Sequence, residues 1–485
     1  MTGRALINYM DSDAAGTILA SLYGAEGLGA ARRRYAALIE GMLRFTPPSP
    51  RGAGAPREFP ETVGDLRVFT APGRTELGGN HTDHNQGKVL AASIQLDSAA
   101  IVAPREDSMV IFRSTGYPDV VADLSDLSPN PAEKGTTEAL VRGIAAELRA
   151  RGTPVRGFTA NADSTVLPGS GLSSSAAVEV LFGRIFDSLY GEGKRSAPEI
   201  ALIGQKAENT YFGKPCGLMD QAACASGGAV AIDFGDPANP LLTQLRFDPA
   251  ALGYVLCVVN TRGSHADLTP DYAAIPEEMR GVARFFGKTV LRELDAAAVL
   301  GRAAELRAAL GDRAILRALH FFGENDRVEA MRKTLEKVDA EPALEQKRAA
   351  LARYLELVNA SGASSRELLQ NIYSPQNPRE QGISLALALT EQFLAAEAAR
   401  SGGAGSGVSS GAGNGVSNGA SRVHGGGFAG TIQAYIAREA LDRYRTAMEA
   451  VFGDGSVTVL RIRPVGAVES FIDAGPGDTL QCNER

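Results

Sequence analysis

A chain of 485 residues, 44% hydrophobic and 22% charged, has an ordinary soluble globular balance and is long enough for two or three domains or one two-lobed enzyme with a cleft. A net charge of −7 without a basic stripe argues against nucleic acid as the main partner. Four cysteines without a CxxC pair, no signal-peptide-like start, and no apolar run approaching the ~20 residues that cross a bilayer predict a reduced, cytoplasmic protein with no membrane partner.

Residues 1 to about 62 read as a mostly helical lead-in, with RRRYAALIEGMLRF (32–45) at helical spacing, broken by TPPSPRGAGAPREFP. DLRVFTAPG alternates, with Leu66, Val68 and Thr70 on one face, and predicts a strand ending at Pro72-Gly73. KVLAASIQLDSAAIVAP (88–104) is a second β-rich stretch, which places GRTELGGNHTDHN (73–85) on the connection between two strands. TTEALVRGIAAELRARG (136–152) reads as an amphipathic helix, and FTANADSTVLPG (158–169) as a strand running into a loop. The next segment puts Val178, Leu181, Phe182, Ile185, Phe186 and Leu189 on one helical stripe. SAPEIALIGQKAENTYFG (196–213) opens with Ser196 and Glu199 in capping-box spacing. Strands AVAIDFG and GYVLCVVN precede a long helical region over roughly 275–400. SGGAGSGVSSGAGNGVSNGA (401–420) is a low-complexity insert, read as flexible. Structure resumes with RVHGGGFAGTIQAYIAREALDRYRTAMEAVFG and ends in a β-rich tail containing SVTVLRIRP. The mixed order predicts an α+β or mixed α/β architecture.

Two stretches carry chemistry. In HTDH, a zinc site would need three or four converging ligands, and His81 and His84 supply two; the other histidines stand singly at 265, 320 and 424. The alternative is a pocket of hydrogen-bonding groups around a neutral polar ligand. LPGSGLSSSAA (167–177) joins a strand to a helix, with glycines that permit close backbone approach and a helix N-terminus suited to an anion such as a nucleotide phosphate. No Walker A lysine is present, and a capped helix after a Gly-rich turn remains the plainer reading.

PGSGLSSSAA closely resembles the second motif of the GHMP kinases, and APGRTELGGNHTDHN resembles the galactokinase signature. CGLMDQAACASGG (216–228) is similar to the segment bearing the galactokinase catalytic aspartate, and HGGGFAGT (424–431) to the third superfamily motif. The four motifs stand in family order and span most of residues 66–435. The resemblance implies a two-lobed α+β fold, with a ribosomal-protein-S5-like α/β N-terminal lobe and a ferredoxin-like C-terminal lobe. We expect a lead-in over 1–62, a first lobe over 63–245 and a second over 246–485.

The activity implied is phosphoryl transfer from ATP, with Mg2+, to a sugar hydroxyl, most simply the anomeric hydroxyl of galactose. Asp220 matches the catalytic aspartate and Arg74 the arginine beside it. Asn80, His81, Asp83, Gly217 and Tyr272 are expected at the sugar. Pro168, Gly169, Ser170, Gly171, Leu172, Ser173, Ser174 and Ser175 are expected at the ATP phosphates, with Ser175 and Glu208 as metal-linked positions. Gly425, Gly426 and Gly427 would press backbone against the phosphate loop and substrate. Taken singly, Asp220 reads as a helix cap, Arg74 as a surface salt bridge, Glu208 as an exposed helix glutamate, Tyr272 as a core aromatic and the glycine run as a turn.

The match departs from the family in the sugar motif. Asn80 replaces a glutamate that contacts a sugar hydroxyl, Glu76 stands where asparagine is common, and His84 replaces tyrosine. Kinase chemistry is therefore better supported than the sugar's identity. A kinase for a galactose derivative or a pentose, and a non-catalytic sugar- and ATP-sensing regulator, are the alternatives. Sugar and ATP are the expected partners, and a monomer is favoured.

Overall fold

The computed structural model describes residues 1–45, 66–167, 169–214, 216–263, 268–401 and 419–470. Two sheets organise the chain. The first has the order β12-β1-β2-β5-β3-β4, with β6 and β7 continuing from the other end of β2. Its strands are β1 (Arg67–Gly78), β2 (Lys88–Pro104), β3 (Met109–Ser114), β4 (Val120–Asp123), β5 (Phe158–Ser164), β6 (Ala229–Asp233), β7 (Leu241–Leu245) and β12 (Val468–Ser470). Among these described strands only the β3–β5 pair is parallel. The second sheet is antiparallel in the order β11-β8-β10-β9, from β8 (Tyr254–Asn260), β9 (Gly419–His424), β10 (Thr431–Ala437) and β11 (Val457–Leu460).

Alternation along the central strands explains why the first sheet is covered on both faces. Phe69, Ala71, Ala100, Val102, Ala160 and Phe112 point to one side, into a core with α4 (Thr137–Ala150), α5 (Ser174–Tyr190), α6 (Ala197–Ala207) and α7 (Met219–Ser226). Their neighbours Val68, Ala99, Ile101, Ala103 and Ile111 point the other way, onto α1 (Gly3–Met10), α2 (Asp13–Tyr23) and α3 (Leu28–Leu43). Period-2 alternation with both sides apolar gives strands that read as continuous hydrophobic runs. The helical lead-in is thus a sheet cover. Beneath it Asp97, fully buried, takes Arg34 from α3 (2.5 Å) and Arg463 from the C-terminal tail (2.9 Å).

The remaining helices are α8 (Thr269–Phe285), α9 (Ala296–Gly301), α10 (Ala303–Leu310), α11 (Asp312–Ala340), α12 (Leu344–Ser364), α13 (Gly382–Ser401) and α14 (Leu441–Phe452). A core of Leu77, Leu90 and Ile94 from the first sheet, Val328 and Met331 from α11, Leu351 and Val358 from α12, and Leu256 and Tyr435 from the second sheet runs across the division expected near residue 245. α13 and α14 cover the other face of the second sheet. β12 pairs with β1, so the last described strand lies in the first sheet.

Several sequence expectations need correction. β1 does not end at Pro72-Gly73 but continues to Gly78, because a register shift between Pro72 and Arg74 absorbs the proline's missing N–H. Half of the GRTELGGNHTDHN motif is therefore strand, and only residues 79–87 form the connection. The insert is also shorter than expected: Ser401 ends α13 and Gly419-Ala420 begin β9, while 402–418 lie outside the described residues, as does the whole Pro/Gly break TPPSPRGAGAPREFP (46–60).

Candidate active site

Arg74 joins the sugar motif to the phosphate loop. Its backbone N–H donates to the Leu172 carbonyl at 3.0 Å, and its Nη1 donates to the Gly171 carbonyl. A Cβ at Gly73 would sit 2.7 Å from the Leu172 oxygen, so glycine is what lets strand and loop approach. The guanidinium meets Asp220 Oδ1 through Nε at 2.8 Å and Nη2 at 2.7 Å. Asp220 lies in the first turn of α7, and its Oδ2 accepts the Ser173 hydroxyl at 2.5 Å. Ser173 precedes α5 in a left-handed conformation (φ 60°) and makes no side-chain cap, which leaves its hydroxyl for Asp220. Arg74 is buried, whereas a third of the Asp220 side chain is exposed. Burial opposes the charge on Arg74, but Asp220 outweighs it and raises the guanidinium's pKa.

The phosphate loop turns through positive φ at Gly169 (69°) and Gly171 (71°). Ser170 is buried, with its hydroxyl donating to the Leu167 carbonyl at 2.6 Å and its own carbonyl accepting from Thr431 at 3.1 Å. Ser174 and Ser175 open the 17-residue α5, with Ser175 exposed. Its free first-turn N–H groups and positive dipole end fit an anion. Pro168 lies outside the described residues.

The three carbonyls of the glycine run each accept from a residue expected at the sugar. Asn80 Nδ2 donates to Gly425 (2.6 Å), His81 Nε2 to Gly426 (2.9 Å) and the Tyr272 hydroxyl to Gly427 (3.0 Å). A Cβ on Gly426 would lie 2.6 Å from the Tyr272 ring, and one on Gly425 3.8 Å from Gly171 Cα. The third motif is thus wedged between sugar motif and phosphate loop. With Nε2 protonated, the His81 ring keeps Nδ1 as an acceptor, and burial lowers its pKa to about 4. Asp83 packs against Gly217, where a Cβ would meet its Oδ2 at 2.1 Å. His84 and His81 rings stand 6.2 Å apart.

Asn80 behaves differently from the expectation of a residue reading the sugar. It is buried, and its amide is engaged by protein: Nδ2 also donates to Glu76 at 3.2 Å, and Oδ1 accepts from Asn371 at 2.7 Å. Glu76 in turn pairs with fully buried Arg422 at 2.5 Å. The backbone on either side is held by α11, with Glu324 accepting from the Gly79 N–H (3.1 Å) and His320 Nε2 donating to the Asn80 carbonyl (2.9 Å).

Glu208 closes α6 and is buried, not an exposed helix glutamate. Lys214 lies 3.2 Å from its Oε1, and Gln221 Nε2 bridges Glu208 Oε2 and Glu179 Oε2, each at 2.9 Å. Glu179 follows Ser175 by one turn of α5, so Gln221 links Glu208 to that helix. Glu179 Oε1 and Gln221 Oε1 are buried without hydrogen-bond partners among the described residues. Among the described residues no three His, Cys, Asp or Glu side chains converge as a metal cage. The oxygen-only donors fit Mg2+ held in part by nucleotide phosphates and water.

Arg422, Asn371, Gln221, Glu324 and His320 were not anticipated. Gln221 follows Asp220 directly, Arg422 stands two residues before the third motif, and His320 and Glu324 lie in ALHFFGENDRV (318–328), a stretch with weaker similarity to the family; nothing in the sequence links Asn371 to the site.

Residues 57–104 match the galactokinase galactose-binding signature and 139–228 the GHMP kinase N-terminal domain. The chain is 35% identical over 285 residues to a galactokinase of Streptomyces coelicolor, covering 56% of this chain and 70% of that one. It is 31% identical over 387 residues to a galactokinase of Mannheimia succiniciproducens, covering 79% and 88%. The chain belongs to the galactokinase family. Lactococcus lactis galactokinase, solved in complex with galactose, superposes with a TM-score of 0.65 at 24% identity, covering 84% of this chain and 95% of that one. Methanococcus jannaschii mevalonate kinase superposes at 0.52 with 14% identity, covering 82% and 99%. This galactokinase-family chain therefore has the GHMP kinase fold, with the α+β two-lobed architecture that its motifs imply.

Proposed function

We propose that this chain is an ATP-dependent sugar 1-kinase acting on galactose. The convergence of Arg74, Asp220 and Ser173 beneath the loop that opens α5 carries this reading. The anomeric oxygen bonds to the ATP γ-phosphorus, the bond from that phosphorus to the β,γ-bridging oxygen breaks, and ADP leaves with the electron pair. Asp220 takes the hydroxyl proton. Its two oxygens are anchored by Arg74 and Ser173, which fixes the carboxylate's direction while lone pairs remain free.

Arg74 adds a fixed, desolvated positive charge where negative charge grows on the transferring group. Gly169 to Ser175 offer backbone N–H groups and hydroxyls to the phosphates. His81 and Asp83 offer an acceptor ring nitrogen and a carboxylate to sugar hydroxyls, with Tyr272 at the pocket wall. Ser175 and Glu208 would hold Mg2+, which when bound offsets phosphate charge. The neutral, protein-engaged amide of Asn80 favours one variation: a related sugar turned over as well as galactose.

ADP release across a sugar panel, with 31P NMR of the product, tests the proposal. Galactose 1-phosphate is the expected product. Binding of sugar and ATP without turnover, or phosphate on another carbon, would overturn it.

A further inference from the structure

Five polar groups form a chain that crosses from β1 to the phosphate loop. Gln433 Nε2 donates to Thr75 Oγ1 at 2.8 Å. Thr75 Oγ1 lies 3.0 Å from His424 Nε2, and His424 Nδ1 lies 3.0 Å from Thr431 Oγ1. Thr431 donates to the Ser170 carbonyl at 3.1 Å. The ends fix the direction of every bond. Thr431 spends its one proton on Ser170, so it accepts from His424, which must carry hydrogen on Nδ1. Nε2 is then an acceptor and takes the Thr75 proton. Thr75, having given its proton, accepts from Gln433. Of the two neutral tautomers, only the Nδ1–H imidazole satisfies all four contacts.

The surroundings agree. His424 is buried, and burial, then Arg74 and Arg422, push its pKa well down, which keeps it neutral. A Cβ on Gly171 would come 3.2 Å from Nδ1, so the loop lies directly on the ring. Thr75 follows Arg74 in β1, and Ser170 precedes the Gly171 carbonyl that Arg74 holds.

We infer that His424 is a positioning residue with two separable arms: through Thr431 it sets the phosphate loop, and through Thr75 it sets the strand that carries Arg74 and leads into the sugar motif. The inference rests on reading 169–175 as the ATP cradle. Substitutions can cut one arm at a time. Asparagine's amide nitrogen imitates Nδ1–H and keeps the Thr431 arm; glutamine's amide oxygen imitates Nε2 and keeps the Thr75 arm.

Binding of a non-hydrolysable ATP analogue and of galactose, each by calorimetry, provides the test. His424→Gln should weaken the ATP analogue about tenfold, and His424→Asn should weaken galactose about tenfold, each leaving the other ligand within about threefold, as expected for one lost hydrogen bond. Thr431→Val and Thr75→Val cut the same arms from their far ends and should reproduce the split if a His424 variant does not fold. Equal weakening of both ligands in every variant, or of neither, overturns the inference. Failure of the unsubstituted protein to bind the ATP analogue would instead overturn the reading of the cradle.

Discussion

Glu76 and Asn80, four residues apart, share a 3.2 Å hydrogen bond in the closed interior beside the glycine run. The galactokinase signature that this motif resembles implies a carboxylate at position 80 and an amide at position 76; here Asn80 and Glu76 stand there. The Glu76 carboxylate is neutralised by Arg422. Asn80→Glu would set a second carboxylate against Glu76 and should destabilise the fold, whereas Glu76→Asn/Asn80→Glu should recover more stability than the sum of the single effects predicts. Denaturant unfolding of the four proteins measures the coupling, and additivity within about 0.5 kcal/mol would show the two sites to be independent. The double variant should also change relative rates across sugars while ATP affinity holds.

Glu76→Gln alone leaves Arg422 without its counter-ion. Among the described residues Arg422 Nε and Nη1 have no hydrogen-bond partner, and Glu76 is the carboxylate paired with it. Loss of one member of a buried pair costs about 3–5 kcal/mol. A drop of that order in unfolding free energy is expected, and a near-unchanged midpoint would mean that the pair is not a buried salt bridge in solution.

Asp220→Asn keeps shape but cannot accept the proton. Turnover should fall by about 10²–10⁴-fold, the range of a lost general base. ATP analogue binding should stay nearly unchanged. Near-normal turnover removes Asp220 from the chemistry.

Removal of Mg2+ by a chelator should abolish turnover reversibly. Glu208→Gln should weaken Mn2+ binding in the presence of an ATP analogue about tenfold, since affinity of such sites follows the number of charged ligands. Unchanged Mn2+ affinity would assign Glu208 to its contacts with Lys214 and Gln221 alone.

Glu324 gives an acid-stability signature. Burial works against its charge, but His320, Arg327 and Arg422 outweigh burial and hold the carboxyl well below the usual carboxylate range. Its folded pKa is thus below the unfolded one. The stability it contributes is present above about pH 4.3 and is lost as pH falls through the folded value, at up to about 1.4 kcal/mol per pH unit. Glu324→Gln should flatten this acid arm, measured by denaturant unfolding at a series of pH values. An identical slope in the variant would show that Glu324 does not titrate differently on folding.

The motifs were legible because their chemistry is local. Glycines at positive φ, a serine run at a helix start and the Ser196–Glu199 capping box depend on neighbours in sequence, and the structure shows that box formed. β2 was legible to the residue, since both of its faces are buried. The end of β1 was not, because a proline reads as a stop until a paired strand supplies a compensating register shift. The contacts of Asn80 were illegible for a related reason: its partners Asn371 and the Gly425 carbonyl lie some 290 and 345 positions away. The roles of Arg422 and His424 rest on the same long-range closure.

β12 and Arg463 have a consequence for how the protein is made. Asp97 receives one guanidinium from α3 early in synthesis and the other only when residue 463 has emerged, and β1 gains its outer neighbour only after residue 470. A nascent chain therefore carries a half-neutralised carboxylate and an open strand edge until residues 463–470 have been made, so the first sheet is completed only after every strand of the second has been synthesised.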